Sequence, residues 1–121
     1  MRVATFLIID DDPDMREILT TVLEADGHTV VATNGGRAGL AAIGQQPVNI
    51  IITDIVMPDI EGIELIRKLR KLDRGAKIVA ISAAPDYLEM ARDLGADEVM
   101  AKPIGIAPLR ALVARLLGTS A

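Results

Sequence analysis

The 121-residue sequence has no cysteine and no tryptophan, and Phe6 and Tyr87 are its only phenylalanine and tyrosine. Without thiols there is no disulfide framework, no thiolate nucleophile and no cysteine-bound zinc. With 2% aromatic residues there is no stacking platform for single-stranded nucleic acid. Positive charge is also scarce: 13 Lys and Arg against 17 Asp and Glu leave a formal net charge of -4. That sign argues against nucleic acid as a direct partner, because such affinity comes from neutralising phosphates. No apolar run approaches the roughly 18 residues of a membrane span. The opening stretch to Ile9 begins like a signal h-region but is stopped by Asp10-Asp11-Asp12. The expectation is a soluble, cytoplasmic protein with no membrane partner.

What is present is globular: 50% hydrophobic and 25% charged residues, in a length suited to one domain over residues 1–121. Five short apolar runs, Val3 to Ile9, Thr29 to Thr33, Asn49 to Thr53, Lys77 to Ile81 and Glu98 to Ala101, alternate with amphipathic stretches. Most are rich in β-branched residues and all are too short for helices, so they are predicted strands. Their continuous apolarity predicts cover on both faces, as in a mostly parallel α/β sheet built of βαβ units. Met15, Ile18, Leu19, Val22 and Leu23 recur at helical spacing behind Asp12 as cap and Pro13, and Gly27 closes that helix. Further helices are expected from about Gly36 to Gln45, Ile60 to Leu72 and Asp86 to Leu94, and in a last stretch with Pro108 in its first turn.

In such sheets ligands bind outside the carboxyl ends of the strands. There the sequence places Asp10-Asp11-Asp12, Asp54, Ser82 and Lys102-Pro103. Asp12 is accounted for as a helix cap, but Asp10 and Asp11 are not needed for capping. Packed together they repel unless a cation is present. Three carboxylates suit a hard cation such as Mg²⁺, and a lysine and a hydroxyl opposite complete a clamp for a phosphoryl group. Asp54 is then the candidate nucleophile, forming an acyl phosphate. The one histidine, His28, is expected in a solvent-exposed turn at the other end of the sheet, and the run Arg67, Lys68, Arg70, Lys71 and Arg74 as a solvated helix face.

The motifs Leu7-Ile8-Ile9-Asp10-Asp11-Asp12 with Arg16, Thr53-Asp54-Ile55-Val56-Met57-Pro58 with Gly62, Ile81-Ser82-Ala83 and Ala101-Lys102-Pro103 occur in order at strand ends, a specific combination. On these residues the chain resembles the receiver domain of two-component response regulators, the CheY-like superfamily. The resemblance covers essentially the whole chain. It implies a single-domain, doubly wound (βα)5 fold with the flavodoxin-like strand order 2-1-3-4-5. It makes Asp54 the phosphoacceptor, charged by a sensor histidine kinase or a histidine phosphotransfer protein. Asp10, Asp11, Asp54 and the backbone carbonyl of Val56 would hold Mg²⁺ or Mn²⁺, Ser82 would move toward the phosphoryl group, and Lys102 would pair with it. A cis peptide before Pro103, a kinase-docking surface on the first helix and an output surface on the fourth helix, fifth strand and fifth helix are also implied, as is phosphorylation-dependent dimerisation.

Three departures stand out. Val99 and Ile104 occupy positions where the family often carries aromatic residues that read out phosphorylation. Val56 and Ala84, two residues after the acceptor and the hydroxyl, cannot hydrogen-bond an attacking water, which predicts a long-lived phosphorylated state. The chain stops at Gly118-Thr119-Ser120-Ala121, as fits a stand-alone regulator and a receiver with a separate output domain alike. Two rivals set the terms of a test. One is a haloacid-dehalogenase-type, metal-dependent phosphohydrolase, with Asp10 of Asp10-x-Asp12 as nucleophile but Asp14 near where that family has a threonine. The other is a receiver-like scaffold that is never phosphorylated.

Overall fold

The computed structural model describes residues 2–58, 60, 62–73 and 75–118. Arg74 of the basic run and Thr119 to Ala121 lie outside the described residues, as do Met1, Asp59 and Glu61. Strands and helices alternate throughout: β1 (Thr5–Ile9), α1 (Pro13–Ala25), β2 (Thr29–Thr33), α2 (Gly36–Ile43), β3 (Ile50–Asp54), α3 (Gly62–Leu72), β4 (Lys77–Ser82), α4 (Pro85–Asp93), β5 (Glu98–Ala101) and α5 (Ile106–Leu116). The strands form one sheet in the order β2-β1-β3-β4-β5, and every pairing is parallel.

The two-residue period of a strand divides the core into two layers. Leu7, Ile9, Ile51, Ile78 and Ala80 point to the side covered by α2, α3 and α4, against Ala42, Leu65, Ile66, Leu69 and Ala91. Phe6, Ile8, Ile50, Ile52, Val79 and Ile81 point to the side covered by α1 and α5, against Leu19, Leu23, Leu109 and Leu112. Helices on both faces make the fold doubly wound. β1, β3 and β4 are buried almost throughout, as their continuous apolarity predicts. The edge strands β2 and β5 are only half covered, because each has one neighbour and lies at the rim of the helical layers.

Element boundaries shift where partners run out. β1 begins at Thr5 rather than Val3, because β2 and β3 offer partners only from Thr29, opposite Thr5, and Ile50, opposite Phe6; Val3 is left exposed. α2 ends at Ile43 and the chain turns through Gly44 and Gln45, whose N–H groups return to Ala41 and Ala42 carbonyls. α3 begins at Gly62, where the helix start lies against the β3 end: a Cβ there would stand 2.2 Å from the Ile55 carbonyl oxygen. α4 starts one residue early, on Pro85, and Gly95 follows its cap at φ +116, a conformation that glycine adopts without strain.

Two expectations are corrected. His28 is buried, with 7% of its surface exposed. Its Nδ1 accepts the Ala4 N–H at 3.1 Å and its ring packs edge-on against Phe6, with centroids 4.8 Å apart. The loop sequence gave no sign of this, because the partners come from β1 and its lead-in. Arg70 is not part of a solvated face. Its guanidinium donates to the carbonyls of Ala76 and Gly95 and to Asp97 Oδ2, at 2.8, 3.0 and 2.8 Å.

Candidate functional site

The order 2-1-3-4-5 sends the chain to opposite sides of β1 after β1 and after β2, so a crevice opens between the carboxyl ends of β1 and β3. Asp10 follows β1 and Asp54 is the last residue of β3. Asp11 joins them: one carboxylate oxygen from each of Asp10, Asp11 and Asp54 lies within 4.8 Å of the others. Asp10 is completely buried and Asp54 nearly so, while Asp11 is exposed. Two enclosed carboxylates are thus covered by one that faces water.

Local hydrogen bonds fix this cluster. Asp10 Oδ1 accepts the Asp12 N–H at 2.9 Å, and Asp12 in turn caps α1 by accepting the Asp14 N–H at 3.0 Å. Arg16, one turn into α1, reaches back and donates to the Asp10 carbonyl at 2.8 Å. The sequence motif includes Arg16 but gives it no task; its spacing of six from Asp10 is the only signal for this contact. Asp54 Oδ1 accepts the Val56 N–H at 2.9 Å, so the turn after β3 holds the carboxylate in place. The Val56 side chain is itself exposed.

Lys102, just beyond β5, supplies the balancing charge. Its Nζ lies 2.9 Å from Asp54 Oδ2 and 3.1 Å from Asp10 Oδ2. Burial works against the ammonium, but its contacts with Asp54 and Asp10 and their negative charge prevail and raise its pKa. Burial also raises the pKa of Asp10. The Asp12 N–H and Lys102 oppose that rise, and the charge of Asp54 adds to it. Asp10 Oδ2 is fully enclosed, and among the described residues its close cation, the Lys102 ammonium at 3.1 Å, does not meet it in hydrogen-bond geometry. An enclosed carboxylate oxygen held by an ion pair alone, beside two more carboxylates, fits a hard cation.

Ser82 closes β4 one position beyond the Asp54–Ile81 pairing and is buried. Its Oγ accepts the Ala84 N–H at 3.0 Å, which ties the hydroxyl to the turn leading into α4. The Lys102 N–H donates to the Ser82 carbonyl at 2.9 Å, which links the two chain segments, and the Lys102–Pro103 peptide is cis. Val99 packs into the α2–α4 side of the core and Ile104 into the α1–α5 side. Neither has a ring to rotate.

Fold and site together define a small doubly wound domain with an acidic cation cluster and a lysine at its switch point. The chain belongs to the response regulator receiver domain family, whose sequence profile matches residues 6–114; this is the signalling module of two-component phosphorelays. It is 36% identical over 107 residues to the KDP operon transcriptional regulatory protein KdpE of Escherichia coli, covering 87% of this chain and 47% of that protein. It is 33% identical over 122 residues to the DNA-binding transcriptional regulator NtrC of Azospirillum brasilense, covering 99% of this chain and 25% of that protein. The chain therefore spans half or less of these two relatives. Among solved structures it resembles a CheY-like receiver domain protein from Methanospirillum hungatei, with a TM-score of 0.90 and 28% identity over 97% of this chain and 95% of that one.

Proposed function

We propose that Asp54 is the phosphoacceptor and that residues 1–121 form one receiver domain, phosphorylated by a histidine kinase or histidine phosphotransfer protein. In the transfer the N–P bond of the donor phosphohistidine breaks, an Asp54 Oδ–P bond forms, and the donor histidine regains its neutral form. Asp10, Asp11 and Asp54 would hold Mg²⁺ or Mn²⁺ together with the Val56 carbonyl. When bound, such an ion neutralises charge on the transferring oxygens. Lys102, already on Asp54 Oδ2, passes to the phosphoryl oxygens, and the Ser82 hydroxyl, whose oxygen accepts the Ala84 N–H, turns its O–H to donate to a phosphoryl oxygen.

The observation that carries the reading is the setting of Asp54: one oxygen fixed by a backbone N–H and the other on a lysine, in a cluster suited to a cation. Exposure argues against Asp10 as the nucleophile, since its side chain is 0% exposed whereas that of Asp54 keeps 8%. The domain acts as a switch rather than an enzyme, with no substrate beyond its own phosphoryl group. Its phosphorylated form biases an existing equilibrium toward an output partner or attached domain. Relatives named as transcriptional regulators favour control of transcription as that output. Among the described residues no helix is long and apolar enough to cross a membrane, which fits action in the cytoplasm.

The test is intact mass spectrometry after incubation with Mg²⁺ and acetyl phosphate. The wild-type chain should gain one phosphoryl group and Asp54→Asn none. An adduct that survives Asp54→Asn, or steady hydrolysis of the donor without dependence on Asp54, would support the hydrolase reading instead. No adduct from acetyl phosphate or from a histidine kinase would support the scaffold.

A further inference from the structure

At the amino end of the sheet, remote from Asp54, a cavity of about 210 Å³ lies between the end of α1, the lead-in to β1 and α5. Leu23, Val113 and Leu117 give it an apolar wall. For comparison, an apolar cavity of roughly 150 Å³ is enough for a benzene ring. The wall is interrupted by His28, which is more than nine-tenths buried.

The protonation of His28 follows from its contacts. Nδ1 accepts the Ala4 N–H, so in the neutral ring the proton sits on Nε2. The packing against Phe6 fixes the plane of the ring. His28 lines the cavity, and with Nδ1 occupied by the Ala4 N–H its Nε2–H is the ring donor that remains for a ligand there. Three charged groups border the same space. Arg110 donates to both oxygens of Asp26 at 2.7 and 3.0 Å, and Arg2 donates to the Leu117 carbonyl. Two guanidinium groups against one carboxylate give the rim a formal charge of one positive unit, beside the carboxyl ends of α1 and α5.

We propose that this cavity binds a small apolar carboxylate, its hydrocarbon body against Leu23, Val113 and Leu117 and its carboxylate on His28 Nε2–H under the positive rim. A neutral or cationic ligand of the same shape lacks the charge match. The site is independent of the phosphoacceptor assignment.

Benzoate is the probe, followed by NMR on the isotope-labelled chain. A ligand of about nine non-hydrogen atoms with ordinary efficiency binds at about 1 mM. Saturable shifts are expected at the His28 ring and at the Leu23 and Val113 methyl groups, with benzylamine at least tenfold weaker. His28→Asn keeps an acceptor for the Ala4 N–H but removes the Nε2 donor, and should weaken benzoate at least fivefold. Ala114 also lines the cavity, so Ala114→Met, which adds side-chain volume there, should abolish binding while the remaining amide spectrum stays folded. No saturable shift at about 10 mM, equal affinity for benzylamine, or binding unchanged by both variants would overturn the proposal. Shifts confined to Lys102 and Asp54 would overturn it as well.

Discussion

Lys102 carries the charge balance of the acidic cluster, because it is the cation facing both Asp10 and Asp54. Replacing it with methionine leaves two buried carboxylates opposed. Removing one partner of an enclosed ion pair costs about 3 kcal/mol, and Lys102→Met is expected to lose stability on that scale without metal. Mg²⁺ should then stabilise the variant more than it stabilises the wild type, because the ion no longer competes with an ammonium. Urea denaturation with and without Mg²⁺ checks both effects; a variant indifferent to Mg²⁺ would show that the carboxylate cluster does not bind the ion. Val56 and Ala84 make a second case at this scale. Neither side chain can orient a water, so the phosphoryl group on the wild-type chain should persist for many minutes after the donor is removed. Decay within seconds in a mass-spectrometric chase would refute this.

The residue types at the site were legible in sequence because each ends a strand, and strand ends are readable from where an apolar run stops. Asp10, Asp54, Ser82 and Lys102 could all be placed on one sheet edge in that way. Contacts that cross between elements were not legible. The bond from Arg16 to the Asp10 carbonyl needs the pitch of α1 to be known, and the Ser82–Ala84 bond needs the turn after β4.

Among elements, α3 shows how a charge run can mislead. Composition reads Arg67, Lys68, Arg70 and Lys71 as one solvated face, and the exposed Lys68–Glu64 pair at 3.0 Å fits that description. Arg70 instead joins the end of α3 to the lead-in of β4 and to the connection between α4 and β5. Charged hydrogen bonds contribute about 1.5–3 kcal/mol each in favourable settings. Arg70→Ala should therefore cost about 2 kcal/mol or more, while Arg67→Ala, on the exposed face, should stay within about 0.5 kcal/mol. Equal effects of the two in equilibrium denaturation would show that the clamp adds nothing. Strand boundaries were legible to within two residues, because pairing ends where a neighbour ends. The half-covered edges β2 and β5 were not, since apolarity alone does not say which strands lie at the rim.

Over the whole molecule the two ends of the sheet carry different chemistry: the carboxyl end gathers three carboxylates and a lysine, and the amino end holds a buried histidine. Burial lowers the pKa of His28 from its ordinary 6.5, opposed by the charge of Asp26. Below pH 6.5 the unfolded chain takes up a proton that the folded one refuses. The stability contributed by neutral His28 is thus fully present above pH 6.5 and lost as the pH falls from there toward the folded value. The slope reaches at most about 1.4 kcal/mol per pH unit. Thermal unfolding of wild type and His28→Asn between pH 7.5 and 5 checks this. The wild type should lose more stability over that range, and parallel curves would rule out His28 as the titrating group.

Phosphorylation of this receiver domain on Asp54 can be read out directly. Borohydride reduction of the phosphorylated chain converts an aspartyl phosphate to homoserine, and peptide mapping then locates it. Homoserine is expected at position 54 and at no other position; homoserine at position 10, or none in a chain that carries the adduct, would contradict phosphorylation of Asp54.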